Sequence, residues 1–204
     1  MKPKFITLIV LTLVSAALLA PFAFSPVYVE TLREQAFDLL QFLKGNLYKQ
    51  ITGYSALVFV ILEMVFTARK RGRSWVVKLK VPGSMQLWRR LHIFLGVALL
   101  GVTLIHTVGM TGINFNAIFL WVFFAVTLSA LVGVVAETGI LESSRQYFAW
   151  FSVPVSNNGK KLPGIPKGNL IRQLRAIWLS THILLVSVFL VMLLFHIFLA
   201  YYYQ

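Results

Sequence analysis

From Leu91 to Ala136 the chain runs for 46 residues without one charged side chain. An α-helix rises about 1.5 Å per residue and needs roughly 20 apolar residues to cross the hydrocarbon core of a bilayer. The run therefore holds two crossings, broken at Gly109-Met110-Thr111-Gly112-Ile113-Asn114, where Gly and Asn favour a tight turn. Phe5 to Val29 and Ala176 to Gln204 are also charge-free and supply one crossing each. A shorter apolar run, from about Gly53 to Ala68, adds a fifth that contains a single acid, Glu63. The expected fold is all-α and membrane-integral. It forms a single domain over 1–204 with helices at about 5–25, 52–68, 91–110, 116–136 and 176–201.

Composition agrees. Hydrophobic residues make up 58% of the chain and charged ones 12%, against roughly 45–50% and 25% in soluble domains. Aromatic residues, at 14%, argue against disorder. The absence of Cys excludes disulfides, cysteine-held iron–sulfur clusters and a cysteine nucleophile. A net charge of +13 suggests nucleic acid at first sight, but its distribution points to membrane topology and to no nucleic-acid partner. Eight basic residues fall between Arg69 and Arg90, six between Glu137 and Arg175, and Lys2 and Lys4 precede the first helix. The other side carries only Arg33, Lys44 and Lys49. The positive-inside rule then puts the N-terminus in the cytoplasm and the C-terminus outside. A bacterial inner membrane is the expected location. The first helix, with Lys2 and Lys4 before an apolar run, has features of a signal peptide, but its run is longer than a signal core. We read it as a retained helix.

Two connections carry patterns of their own. Leu32, Ala36, Leu39, Leu40 and Leu43 make a helical stripe within Glu30–Lys44 that could lie along the outer interface. Val153–Gly168 is rich in Pro, Gly and Asn and reads as a cytoplasmic turn segment.

All four histidines belong to two helices that this topology makes parallel. His92 and His106 lie on the third, His182 and His196 on the fifth, and each pair is 14 residues apart. Fourteen residues return to within about 40° of the same helix face, about 21 Å further along. His92 is thus expected to face His182 at the inner level and His106 to face His196 at the outer level. An intramembrane imidazole is costly without a partner, and two opposed imidazoles can hold a haem iron from above and below. The expectation is two stacked b-type haems with the helices bundled around them, His92 and His182 on the inner iron, His106 and His196 on the outer. Helix–helix hydrogen bonding is the plainer alternative. An ion path is another, but it would want carboxylates, which the third and fifth helices lack.

Other residues around the histidines are less specific. Gly96, one turn after His92, would let a flat macrocycle approach, or serve helix packing. Arg89, Arg90 and Arg175, with Arg172, stand at the inner level where haem carboxylates could be met by paired guanidinium bonds, or are simple positive-inside anchors. Glu63 either relays a proton near a quinone or pairs with Arg69 or Lys70. Trp178 and the terminal tyrosines fit an aromatic interface belt. Met64, Met85, Met110 and Met192 show no matched spacing and read as packing residues.

The segment Trp88-Arg89-Arg90-Leu91-His92-Ile93-Phe94-Leu95-Gly96, with His106-Thr107 beyond it, resembles the ferric reductase-like transmembrane domain. Trp178 to His182 and Phe195-His196 resemble the second ligand helix of that superfamily. The likeness covers roughly residues 50–200 and implies that the four histidines are axial ligands of two haem b groups. Five helices are expected here where many relatives have six, and no flavin or nicotinamide domain. No glycine-rich dinucleotide fingerprint follows a strand. Electrons would have to be exchanged with another subunit, whether a flavoprotein, iron–sulfur protein or multihaem cytochrome, or with a quinone. Two-haem cytochrome b subunits of quinol-linked complexes reach a similar four-His geometry. The expected function is an electron-transfer subunit rather than a complete oxidoreductase. The alternatives are a self-contained quinol-oxidising or ferric-reducing enzyme, and a haem-free membrane scaffold or transporter.

Overall fold

The computed structural model describes residues 4–71, 82–109, 112–148 and 164–202. Among them are seven helices and one two-stranded antiparallel pair. Helix α1 (Phe5–Ala23) carries Pro21 in its last turn, where the ring removes one backbone donor. Pro26 then opens α2 (Ser25–Gln35), where its missing N–H costs nothing. A break at Ala36 separates α2 from α3 (Phe37–Lys44), and Gly45 separates α3 from α4 (Asn46–Arg71). The expected stripe over 30–44 is thus two short helices. Leu40 turns inward while Leu39 stays exposed.

Helix α5 (Met85–Thr107) starts at Ser84, whose hydroxyl accepts from Leu87 N. It stops at Val108, which has φ 57°. The hydroxyl of Tyr28 donates to the Val108 carbonyl at 2.6 Å, and a Cβ on Gly109 would fall 2.6 Å from that same hydroxyl. The glycine therefore lets α2 close over the end of α5. Helix α6 (Phe115–Glu142) is capped by the Asn114 side chain, which accepts from Ala117 N at 2.9 Å. Strands β1 (Tyr147–Phe148) and β2 (Ile165–Pro166) pair Tyr147 with Pro166 and lead into α7 (Lys167–Tyr202).

Five of these helices, α1, α4, α5, α6 and α7, are long and apolar enough to cross a membrane. The turn expected at 109–114 lies between α5 and α6. The helices α4 to α7 extend past the expected crossings at several ends, because charged residues there continue the helix beyond the apolar core. At 36 residues α7 is about 54 Å long, against a hydrocarbon thickness of about 30 Å. Large apolar side chains such as Ile177, Leu184, Leu194 and Phe198 stand exposed along it, the pattern of a surface whose solvent is lipid. Of the expected turn segment over 153–168, residues 153–163 lie outside the described residues, as do Met110 and the terminal residues, while Ile165–Pro166 form β2 and Lys167 and Gly168 already belong to α7.

The principal packing pairs α4 with α5 and α6 with α7, while α1 lies against α6. Helices α5 and α6 touch sparingly. Leu99, Leu100, Leu120, Phe123, Phe124, Phe189, Val60 and Phe22 form the central core. That core separates an outer from an inner level of histidines.

Candidate functional site: four imidazoles at two levels

At the outer level the rings of His106 and His196 face each other with centroids 6.2 Å apart and planes at 87°. The Nδ1 atom of His106 lies 2.9 Å from the Thr52 hydroxyl of α4. That hydroxyl's single proton is already given to the Tyr48 carbonyl at 2.7 Å, so its oxygen accepts and His106 Nδ1 carries the hydrogen. Across the gap, His196 Nδ1 lies 3.1 Å from Asn116 Oδ1, again an acceptor. His196 also stacks on Phe119.

At the inner level each ring has its own neighbours. His182 Nδ1 lies 3.1 Å from Ser129 Oγ, and Ser129 donates its proton to the Val126 carbonyl at 2.8 Å. His92 Nδ1 touches the Glu63 carboxylate, which can only accept when ionised, and its ring stacks on Phe66. The His182 ring lies against Trp178, and no ring contact joins it to His92 among the described residues.

Three rings, His106, His182 and His196, are thereby held in one tautomer, with hydrogen on Nδ1 and a lone pair on Nε2, while His92 Nδ1 lies against the Glu63 carboxylate without making a hydrogen bond. Among the described residues no Nε2 receives a hydrogen bond. This is the outer-shell pattern of metal-bound imidazoles, whose second nitrogen is fixed by a carboxylate or other acceptor. Helix α4 supplies the acceptors for α5, and α6 supplies those for α7. No group of three or more His, Cys, Asp or Glu gathers among the described residues. Two imidazoles at each level suit a cofactor that brings its own in-plane donors, as a porphyrin does.

The outer level opens into a cavity of about 460 Å³ bounded by α4, α5, α6 and α7, within the roughly 300–1,000 Å³ typical of cofactor sites. His106, His196, Phe119, Phe123, Phe189 and Leu193 line it. Gly53 faces the His106 ring so closely that a Cβ would lie 3.2 Å from Cε1.

The 6.2 Å between the outer ring centroids would leave room for one metal ion held by His106 and His196.

The flanking residues fall differently from the sequence expectation. Arg175 binds Glu137, and Arg89 lies 4.0 Å from the same carboxylate. Glu137, expected to start a loop, sits inside α6 and is 2% exposed. It joins α5, α6 and α7 at the inner edge. Arg90 is half-buried on α5, and Arg172 donates to Asn169 Oδ1 at 2.6 Å. Gly96 faces α4, where a Cβ would lie 3.9 Å from Glu63 Oε1, so space alone does not demand glycine.

Glu63 pairs with His92 instead of Arg69. The Arg69 guanidinium binds the carbonyls of Pro82 and Gly83 and lies over Trp88. The Lys70 side chain, the other expected partner, lies outside the described residues. A carboxylate does stand beside the histidines, brought by α4. Trp178 packs against the backbone of α6 at Gly133, with its Nε1 buried, rather than serving only as an interface anchor. Met64 is exposed.

Glu63 stands out in the sequence as the one acid of its apolar run, though its partner does not, and Thr52, Asn116 and Ser129 carry no signature beyond being polar residues in apolar helices. Their roles depend on which helices pack together. No family model, curated protein or solved structure matches this chain.

Proposed function

We propose that the chain is a two-haem b-type membrane cytochrome. It carries electrons between a cytoplasmic or membrane-dissolved partner and one on the outer side, as a subunit of a redox complex. The carrying observation is the set of four imidazoles at two levels about 21 Å apart along each helix, three with Nδ1 hydrogen-bonded and His92 with Nδ1 against a carboxylate. His92 and His182 would hold the inner haem, His106 and His196 the outer. A bound haem iron supplies one-electron chemistry. The protein's part is ligation, orientation and exclusion of water. Thr52, Asn116 and Ser129 hold three of the rings in the ligating tautomer, Glu63 lies against the fourth, and Phe123, Phe189 and Leu100 fill the space between levels. The sixteen-to-three distribution of basic residues supports a cytoplasmic N-terminus. The resemblance to the ferric reductase-like transmembrane domain points the same way. A flavoprotein, iron–sulfur protein, multihaem cytochrome or quinone would complete the electron path.

A dithionite-reduced minus oxidised spectrum, with haem counted per chain, tests the proposal. Two b-type haems per chain are expected. A purified, folded protein that shows no haem bands, even when produced with haem in excess, leaves the haem-free scaffold. The self-contained quinol-oxidising reading has less behind it, because Glu63, its candidate proton acceptor, is turned onto His92.

A further inference from the structure

Lys49 is one of only three basic residues on the side assigned as outer. It lies in the first part of α4, one turn before Gly53 and therefore on the same helix face, and that face abuts His106. It lines the outer cavity together with His106 and His196, and among the described residues no Asp or Glu shares that lining. Its ammonium makes no hydrogen bond or ion pair among the described residues, although Glu30, Glu34 and Asp38 belong to the same side. An ammonium drawn toward an apolar-walled cavity is costly unless an anion meets it. The cavity thus presents two bare imidazole nitrogens and one unmatched cation.

We infer that Lys49 is the anion-binding residue of the outer site and pairs with a carboxylate on the edge of the macrocycle held between His106 and His196. This rests on the two-haem reading. The pairing would orient the ring in its plane, which the axial imidazoles alone do not do, and would slow its loss. The positive charge would also favour the reduced state of the nearby iron, raising the outer midpoint potential.

The test compares the full-length wild type with K49Q and K49R in detergent, using H106A to identify the outer haem. Haem content, release to excess apomyoglobin and a potentiometric titration are measured. In K49Q the outer haem should be released roughly 10- to 100-fold faster, the scale set by loss of one charge-assisted hydrogen bond. The fraction retained should titrate at a lower potential. The inner haem should be unchanged, which also reports that the variant is folded, and K49R should behave like wild type. If K49Q keeps both haems with wild-type release and midpoints, Lys49 faces lipid phosphate or water and the inference is overturned while the two-haem reading stands. If the wild type holds no haem, both fall.

Discussion

Removing Arg175 should destabilise the protein more than removing the acid it binds. Glu137 is 2% exposed, whereas Arg175 and Arg89 are 53% and 48% exposed. The carboxylate has therefore left water almost entirely, and both guanidiniums remain half solvated. Arg175→Ala strands that carboxylate with Arg89 at 4.0 Å as its nearest cation. Breaking a fully buried pair costs about 3–5 kcal/mol, and the residual attraction of Arg89 brings the expected cost to about 2–4 kcal/mol. Glu137→Gln removes the buried charge itself, leaves an amide oxygen to accept from Arg175, and lets both guanidiniums draw on water. Its cost should be about 1 kcal/mol. The double variant should resemble Glu137→Gln, so that the second substitution rescues the first. Reversible unfolding in mixed micelles, titrated with SDS and followed by far-ultraviolet circular dichroism, measures all three. If Glu137→Gln costs as much as Arg175→Ala, or the double variant is no better than Arg175→Ala, the reasoning from stranded charge is refuted.

The remaining predictions concern the histidines and the two close glycines. His92→Ala and His182→Ala should each remove one haem and spare the other, and His106→Ala and His196→Ala should do the reverse; spectra showing that His92→Ala and His106→Ala lose the same haem would refute the pairing. Gly53→Ala puts a methyl 3.2 Å from His106 Cε1, so it should shift the outer low-spin electron paramagnetic resonance signal and leave the inner one in place. Gly133→Ala puts a methyl 2.5 Å from Trp178, which must move. The expected cost is about 1–3 kcal/mol by the same SDS titration, and an effect under 0.5 kcal/mol would argue against that contact.

Much of the fold was legible in the charge pattern. The 46-residue run gave two helices with their turn between Thr107 and Phe115, since a bilayer penalises any unpaired backbone group and leaves helix as the economical answer. The 14-residue spacing within each histidine pair anticipated opposed rings on two helices, and at the outer level His106 and His196 do meet. What could not be read was which neighbour serves each ring. Thr52 reaches His106 across 54 residues of chain and Ser129 reaches His182 across 53; such pairings follow from helix contacts, not from local pattern. Glu137 was hidden for a different reason. A charge at the edge of an apolar run normally marks the water boundary, and here two arginines from other helices carry that boundary inward.

The pairing of α4 with α5 and of α6 with α7 has a consequence for how the protein is put together. Each hairpin-like half delivers one donor ring to the upper tier and one to the lower. Neither half alone can grip a metal centre from both sides. On the two-haem proposal, pigment loading would complete a docking that α1 against α6 and Glu137 across α5, α6 and α7 already begin. A polypeptide severed in the turn after Thr107 would leave two colourless fragments whose reunion could be watched by eye.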